Sequence, residues 1–113
     1  MTARLVIAPN WVGDAVLSLP TLRALRRRHP DDRLAVLARR GPAAVYRAEG
    51  SADEVLSRGS FFADVRAARA GRFDEAWLLP NSIRAALIAY LSGARRRLGY
   101  ATDRRAALLT DAL

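Results

Sequence analysis

Asp14 is the residue whose position most directly suggests chemistry. It lies at the start of a predicted helix, shortly after a buried apolar run typical of a strand. In α/β sheets ligands bind beyond the carboxyl ends of the strands, so a carboxylate delivered there could act as a general base. An aspartate in a first helical turn also caps free amides and complements the helix dipole, an effect worth about 0.5–2 kcal/mol without any catalysis. The local pattern leaves both interpretations open.

The loop that carries Asp14 lacks the glycine pattern of a dinucleotide-binding turn. Gly-x-Gly-x-x-Gly lets the backbone approach a pyrophosphate, whereas here only Gly13 is present and bulky Trp11 precedes it. The sequence therefore argues against a bound NAD cofactor. Trp11 could cover the core as a lid, or it could offer a flat apolar surface for a sugar ring.

A second candidate segment follows a later strand. Asn81 or Ser82 suits the N-cap of the next helix, and Arg84 falls in its first turn. A cation at this end opposes the helix dipole by a few tenths of a kcal/mol up to about 1 kcal/mol. An anion held by the free amides, the Ser82 hydroxyl and the Arg84 guanidinium would explain the placement. The alternative is a solvent-facing arginine in an arginine-rich chain.

These segments are positioned by an alternation of short strands and helices. The predicted strands are Arg4–Ala8, Arg33–Ala38, Glu54–Leu56, Phe73–Leu79 and Arg97–Tyr100, and the predicted helices are Val12–His29, Pro42–Ala48, Phe61–Arg69, Ile83–Leu91 and Arg104–Leu113. We expect Pro20 to kink the first helix or to divide it after Ser18. The alternation predicts one α/β domain over residues 1–113, with a Rossmann-like parallel sheet and helices on both faces.

Composition excludes several function classes. The 113 residues contain no cysteine and one histidine, which argues against disulfides, a thiol nucleophile and a metal site. The net charge is +8, and all 19 basic residues are arginine. Nucleic-acid surfaces usually mix lysine and arginine with interleaved aromatics, so we expect no nucleic-acid partner, but we do expect affinity for phosphorylated ligands and anionic headgroups.

The distribution of apolar residues predicts the location of the protein. No apolar run is long enough to span a bilayer, and the N-terminus lacks the pattern of a secretory signal. We therefore expect a cytoplasmic protein, and the basic charge allows it to lie peripherally at the inner face of the cytoplasmic membrane.

The loop motifs together resemble a known family. The matching segments are Asn10-Trp11-Val12-Gly13-Asp14, Leu79-Pro80-Asn81-Ser82-Ile83-Arg84-Ala85-Ala86-Leu87, and Leu98-Gly99-Tyr100 with Arg105 and Leu108-Leu109-Thr110-Asp111. In order and spacing they are similar to the N-terminal part of ADP-heptose:lipopolysaccharide heptosyltransferases, nearest to the heptosyltransferase II type of glycosyltransferase family 9. The resemblance extends from about Arg4 to Asp111.

This resemblance implies a fold and a reaction. Members of the family are inverting enzymes with two Rossmann-like domains, the GT-B arrangement, and they need no cofactor or obligatory metal. Their N-terminal domain receives the acceptor, the lipopolysaccharide inner core, and their C-terminal domain holds the donor, ADP-heptose.

The resemblance also implies roles for individual residues. Asp14 would be the general base that deprotonates the acceptor hydroxyl. The residues implied to bind the acceptor are Asn10, Trp11, Gly13, Asn81, Ser82 and Arg84.

The family pattern is incomplete in this sequence, which stops at Leu113 before any C-terminal domain. We therefore expect a truncated acceptor-binding half, inactive alone, with apolar surface exposed around Ala85–Leu91 or Ala106–Leu113. The alternative is a non-enzymatic Rossmann-like module that binds an anion, or an inactive remnant.

Overall fold

A computed structural model describes residues 1–80, 82–99 and 109–112. The strands are β1 (Ala3–Ile7), β2 (Arg33–Ala38), β3 (Glu54–Ser57), β4 (Glu75–Leu78), β5 (Arg96–Gly99) and β6 (Asp111–Ala112). The helices are α1 (Val12–Arg28), α2 (Arg40–Glu49), α3 (Phe61–Ala70) and α4 (Ile83–Leu91). The strands occur in the order β3-β2-β1-β4-β5-β6, and every neighbouring pair is parallel. The predicted parallel α/β sheet is therefore confirmed.

Helices cover both faces of the sheet because its central strand is apolar on both sides. In β1, Leu5 and Ile7 pack into one buried cluster with residues of α3 and α4. Val6 packs into the other cluster, with residues of α1 and α2. Successive side chains of a strand point to opposite faces, so a continuous apolar run is buried only between two helical layers.

The order of the strands creates a crevice between β1 and β4. From β1 the chain crosses through α1 to β2 on one side, whereas from β4 it crosses through α4 to β5 on the other. The loops that follow these adjacent strands therefore diverge at the carboxyl edge of the sheet. Such a switch point is where open α/β sheets bind ligands.

Helix α1 is one uninterrupted helix through Pro20, so the expected division after Ser18 is wrong. Pro20 is exposed, as is Val16, whose carbonyl loses its helical partner at the proline. Because both residues lie on the exposed side of α1, water can satisfy that carbonyl, and the lost hydrogen bond need not break the helix. Burial of Ala15, Leu22 and Leu25 holds the two halves on the same face of the sheet.

The predicted helix Arg104–Leu113 is wrong over its described part, where Asp111–Ala112 forms β6. The backbone amide of Thr110 donates to the carbonyl oxygen of Arg97 at 2.9 Å, and the amide of Arg97 donates to Thr110 Oγ1 at 2.7 Å. These bonds pair the segment with β5. The exposed edge of β5 carries backbone amides and carbonyls that need hydrogen-bond partners, and a strand at that edge supplies them. Residues 100–108 and 113 lie outside the described part, and with them Tyr100, predicted to end the fifth strand.

The expected exposure of apolar surface is confirmed at α4. Ala85, Ala86, Ile88 and Ala89 are buried against the sheet, but Tyr90 is 51% exposed on the outer side. Ile83 and Leu91 are exposed as well. Within the described residues, no helix combines the length and the apolar character needed to cross a bilayer.

Candidate functional site

A cleft of about 470 Å³ opens at the switch point between β1 and β4. Its walls come from the loop after β1, the first turns of α1 and the two residues that follow β4. The lining residues are Pro9, Asn10, Trp11, Asp14, Leu17, Ser18, Thr21, Leu79 and Pro80. The cleft therefore lies where the strand pattern predicted a ligand.

The Asp14 side chain is exposed and lines this cleft. It is in the first turn of α1, whose N-cap residue Trp11 makes no side-chain capping hydrogen bond. Among the described residues, none donates a hydrogen bond or forms an ion pair with the Asp14 carboxylate. Hydrogen-bonded capping therefore does not account for Asp14 in this structure, although the favourable interaction with the helix dipole remains.

Trp11 stands beside Asp14 as an exposed wall of the cleft. Its side chain is 73% exposed, so it is not a lid on the core. Leu17, one turn further along α1, is 79% exposed. Together they offer an apolar surface next to a carboxylate, an arrangement suited to a sugar ring that carries hydroxyl groups.

Asn10 is held by two arginines from other loops. Its Oδ1 accepts a hydrogen bond from Arg39 Nε at 3.0 Å and another from Arg58 Nη1 at 3.2 Å. Arg39 follows β2 and Arg58 follows β3, so the carboxyl ends of three adjacent strands converge on this amide.

Arg58 is anchored in turn by Asp64, in the first turn of α3. The side chains of Arg58 and Asp64 are only 4% and 1% exposed, and Arg58 Nε lies 3.3 Å from Asp64 Oδ2. The other oxygen of Asp64 accepts from the amide of Gly59 at 2.7 Å. Burial lowers the pKa of Arg58, and the charges of Arg39 and Arg84 act in the same direction, while Asp64 opposes them.

The sequence analysis missed both members of this buried pair. Arg58 could have been found, because it lies two residues after the predicted strand Glu54–Leu56, at the edge of the sheet where ligands bind. Asp64 carries no comparable signal, since an aspartate in a first helical turn is usually exposed.

Ser82 and Arg84 are not among the residues that line the cleft. Ser82 is the N-cap of α4, and its Oγ accepts a hydrogen bond from the amide of Ala85 at 3.1 Å. Of the two residues predicted as possible N-caps, Ser82 is therefore the one that caps the helix. Arg84 Nη2 lies 3.9 Å from Asp64 Oδ2, and its guanidinium is 5.7 Å from the centre of the Phe61 ring. These two contacts with α3 offset the unfavourable helix-dipole interaction without an external anion. Asn81 is outside the described residues.

Gly13 is not among the residues that line the cleft. A Cβ atom built on it would meet nothing within 4 Å, so packing within the described part of the chain does not require a glycine there. Its predicted role in shaping the pocket stays a prediction. Among the described residues there is also no cluster of three side chains suited to hold a metal ion.

The sequence is similar to those of lipopolysaccharide heptosyltransferases. Lipopolysaccharide heptosyltransferase 2 of Salmonella typhimurium is 32% identical over 117 residues, which include 96% of this chain and 34% of the relative. The enzyme of the same name from Escherichia coli is 31% identical, over 95% of this chain and 33% of the relative. The chain thus spans about a third of the length of the curated relatives it matches. No protein-family model matches it.

Solved structures agree with this comparison. Escherichia coli ADP-heptose lipopolysaccharide heptosyltransferase II superimposes with a TM-score of 0.88 at 30% identity, over 98% of this chain and 34% of the other. A family 9 glycosyltransferase from Veillonella parvula gives 0.83 at 20% identity, over 98% of this chain and 36% of the other, and so supports the fold alone. The resemblance inferred from the loop motifs is therefore confirmed, and the chain is similar in sequence and fold to about one third of a lipopolysaccharide heptosyltransferase 2.

Proposed function

We propose that this chain is the acceptor-binding part of a heptosyltransferase that transfers heptose from ADP-heptose to the inner core of lipopolysaccharide. The observation that carries the proposal is the exposed Asp14 carboxylate in the cleft between β1 and β4. Similarity to heptosyltransferase 2 over nearly the whole chain supports the same reaction.

Asp14 acts as the general base in this proposal. Its carboxylate takes the proton from an acceptor hydroxyl as that oxygen bonds to the anomeric carbon of the donor. The bond from the anomeric carbon to ADP breaks on the opposite side, ADP leaves with the bonding electrons, and the configuration inverts. A general base of this kind contributes about 10²–10⁴-fold to the rate.

The cleft binds the acceptor through complementary parts of its wall. Trp11 stacks against a sugar ring, Asn10 donates a hydrogen bond to it, and Gly13 leaves room at the rim of the loop. Asn81, Ser82 and Arg84 hold a phosphate or carboxylate group of the inner core. The basic charge of +8 favours such an anionic acceptor and contact with an anionic inner-membrane surface.

The donor site belongs to another part of the enzyme. The chain spans about a third of its relatives, and in our proposal the remainder supplies a second domain that binds the nucleotide sugar. The 113 residues alone then bind the acceptor but do not catalyse transfer.

A second candidate is a non-enzymatic module that binds a phosphorylated ligand. It is favoured by Arg39 and Arg84, whose charges both act on Arg58. Among the described residues, Asp64 is the one carboxylate paired with Arg58 and Arg84. The two candidates differ in what they require of Asp14. The heptosyltransferase needs the carboxylate as a general base, whereas a neighbouring carboxylate would not help a site to bind an anion.

The proposal is tested by Asp14→Asn and Asp14→Ala in the complete enzyme that carries this segment. We expect kcat to fall by about 10²–10⁴-fold in both variants. Asp14 is exposed and makes no hydrogen bond among the described residues, so circular dichroism should not change. The melting temperature should fall only slightly, because the variants lose no more than the interaction of the carboxylate with the helix dipole, about 0.3–1 kcal/mol.

Asp31→Asn is the matched control, because Asp31 is also an exposed aspartate but lies near the amino end of β2. It should leave transfer unchanged. Transfer by Asp14→Asn at the parental rate would refute the base assignment. Phosphate binding that strengthens in that variant, with no transfer by the parent enzyme, would favour the anion-binding module.

A further inference from the structure

We propose that Arg39, Arg58 and Asp64 are positioning residues that direct the side-chain amide nitrogen of Asn10 into the cleft. There it donates a hydrogen bond to an oxygen of the acceptor saccharide, beside Asp14. This inference rests on the proposed function for the identity of the ligand, but the orientation of Asn10 rests on the structure alone.

The orientation of Asn10 follows from the chemistry of its partners. Arg39 Nε and Arg58 Nη1 both lie within hydrogen-bond distance of the same atom, Oδ1. An arginine side chain only donates hydrogen bonds, so the atom that faces two of them must be the amide oxygen and not the nitrogen. The nitrogen, with two donor hydrogens, therefore points away from both arginines.

Asn10 is one of the residues whose side chains meet at the cleft, so its amide nitrogen is available to a ligand there. Asn10 lines the cleft together with Asp14, and none of the described residues accepts a hydrogen bond from its Nδ2. Two cationic donors on the oxygen withdraw electron density and strengthen the N–H groups as donors. The group that satisfies them is an acceptor oxygen, from a hydroxyl or a carboxylate of a saccharide.

The buried pair makes this arrangement rigid. Arg58 donates from Nε to Asp64 and from Nη1 to Asn10. The backbone amide of Arg58 also donates to the carbonyl oxygen of Ala38 at 2.9 Å. With side chains 4% and 1% exposed, Arg58 and Asp64 have little freedom to move. Asp64 thus acts on the cleft through Arg58, without contact with the ligand.

Two substitutions at Asn10 separate the role of its oxygen from that of its nitrogen. Asn10→Asp keeps an oxygen for both arginines but removes the donor, whereas Asn10→Ala removes both. We expect each variant of the complete enzyme to raise the acceptor KM by about 3- to 10-fold, the range expected for one hydrogen bond, with the donor KM unchanged. If Asn10 only braced the arginines, Asn10→Asp would keep the parental acceptor KM, and the proposal would be wrong.

Substitutions at the positioning residues test the brace itself. Arg39→Leu should raise the acceptor KM with little change in kcat. Arg39→Lys should keep the acceptor KM near the parental value, since lysine still donates to Oδ1. Arg58→Lys keeps the ion pair with Asp64 but lacks a second nitrogen for Asn10, so it should raise the acceptor KM without unfolding the protein. Arg40→Leu is the control, because Arg40 is adjacent, exposed and not in contact with Asn10.

The orientation can be measured without any saccharide. In the 113-residue chain, the ¹⁵N order parameter of the Asn10 side-chain amide should be that of a fixed group, and it should fall in Arg39→Leu but not in Arg40→Leu. A mobile amide in the parent chain would overturn the positioning role whatever the chain binds. A fixed amide, with unaltered acceptor KM in Asn10→Asp and Asn10→Ala, would overturn the contact with the saccharide. Failure of the proposed function would instead appear as absence of transfer by the parent enzyme.

Discussion

The hydroxyl of Tyr46 lies 2.7 Å from Oγ of Ser18, and this contact joins α2 to a residue of α1 that lines the cleft. Ser18 Oγ also lies 2.7 Å from the carbonyl oxygen of Ala15, which can only accept. Because the serine has one hydroxyl hydrogen and gives it to Ala15, Tyr46 must donate to Ser18. Tyr46 is 1% exposed, and this burial raises its pKa.

Removal of the Tyr46 hydroxyl should therefore destabilise the fold by a measurable amount. We predict that Tyr46→Phe lowers the free energy of unfolding by about 1 kcal/mol, the usual net contribution of one hydrogen bond. Ser18→Ala should cost less in the Tyr46→Phe background than in the parent, because the shared bond is then already lost. Urea denaturation of the four proteins measures this coupling, and strictly additive losses would contradict it.

Stability should fall in acid because of two aspartates at the amino edge of the sheet. A hydrogen bond from Arg4 holds the pKa of Asp32 below its ordinary value of 3.8. The backbone amide of Leu34, followed by Arg26, does the same for Asp53. Since the folded pKa values lie below the unfolded ones, the stabilisation is complete above about pH 5 and is lost as the pH falls through the unfolded and then the folded values.

Denaturation midpoints between neutral pH and about pH 2.5 would test this acid dependence. Asp32→Asn and Asp53→Asn should each lower stability at neutral pH and flatten its decline in acid. Asp31→Asn should change neither, because no described residue bonds to its exposed side chain. An acid decline of equal steepness in all variants would refute the assignment.

The exposed ring of Trp11 should contribute to binding and not to folding. We predict that Trp11→Ala in the complete enzyme raises the acceptor KM by about 5- to 10-fold, the loss expected for one stacked ring. Trp11→Phe should recover most of the affinity. The melting temperature should stay within about 2 °C in both variants, since little of this 73% exposed side chain is removed from water on folding. A large fall in melting temperature with unchanged KM would show a structural role instead.

Local sequence signals located the elements where pattern and chain breakers agree. The strand Arg33–Ala38 and the helix Ile83–Leu91 have the predicted bounds, because each is an apolar run ended by turn or capping residues. The same reasoning failed at Pro20, which lies on the exposed side of a helix that continues through it, and at Asp111–Ala112, where pairing with β5 overrides helical composition. Both failures come from surroundings that lie outside a short window of sequence.

The candidate site was predictable to the extent that it follows strand ends. Asp14 lines the cleft at the position that topology assigns to a ligand. The pairing of Arg58 with Asp64, and their link to Asn10, depends on how α3 packs beside β3, which no local pattern encodes. Arg84 shows the same limit, since its partner Asp64 lies on another helix.

The link between Asn10, Arg39 and Arg58 ties together the ends of three strands that are far apart in the sequence. These ends are ordered when the protein folds, so an arriving ligand meets a preorganised rim and need not immobilise loops in order to bind. The entropic penalty of association then falls mainly on the ligand. A weakly held saccharide could thus be recognised with few direct contacts.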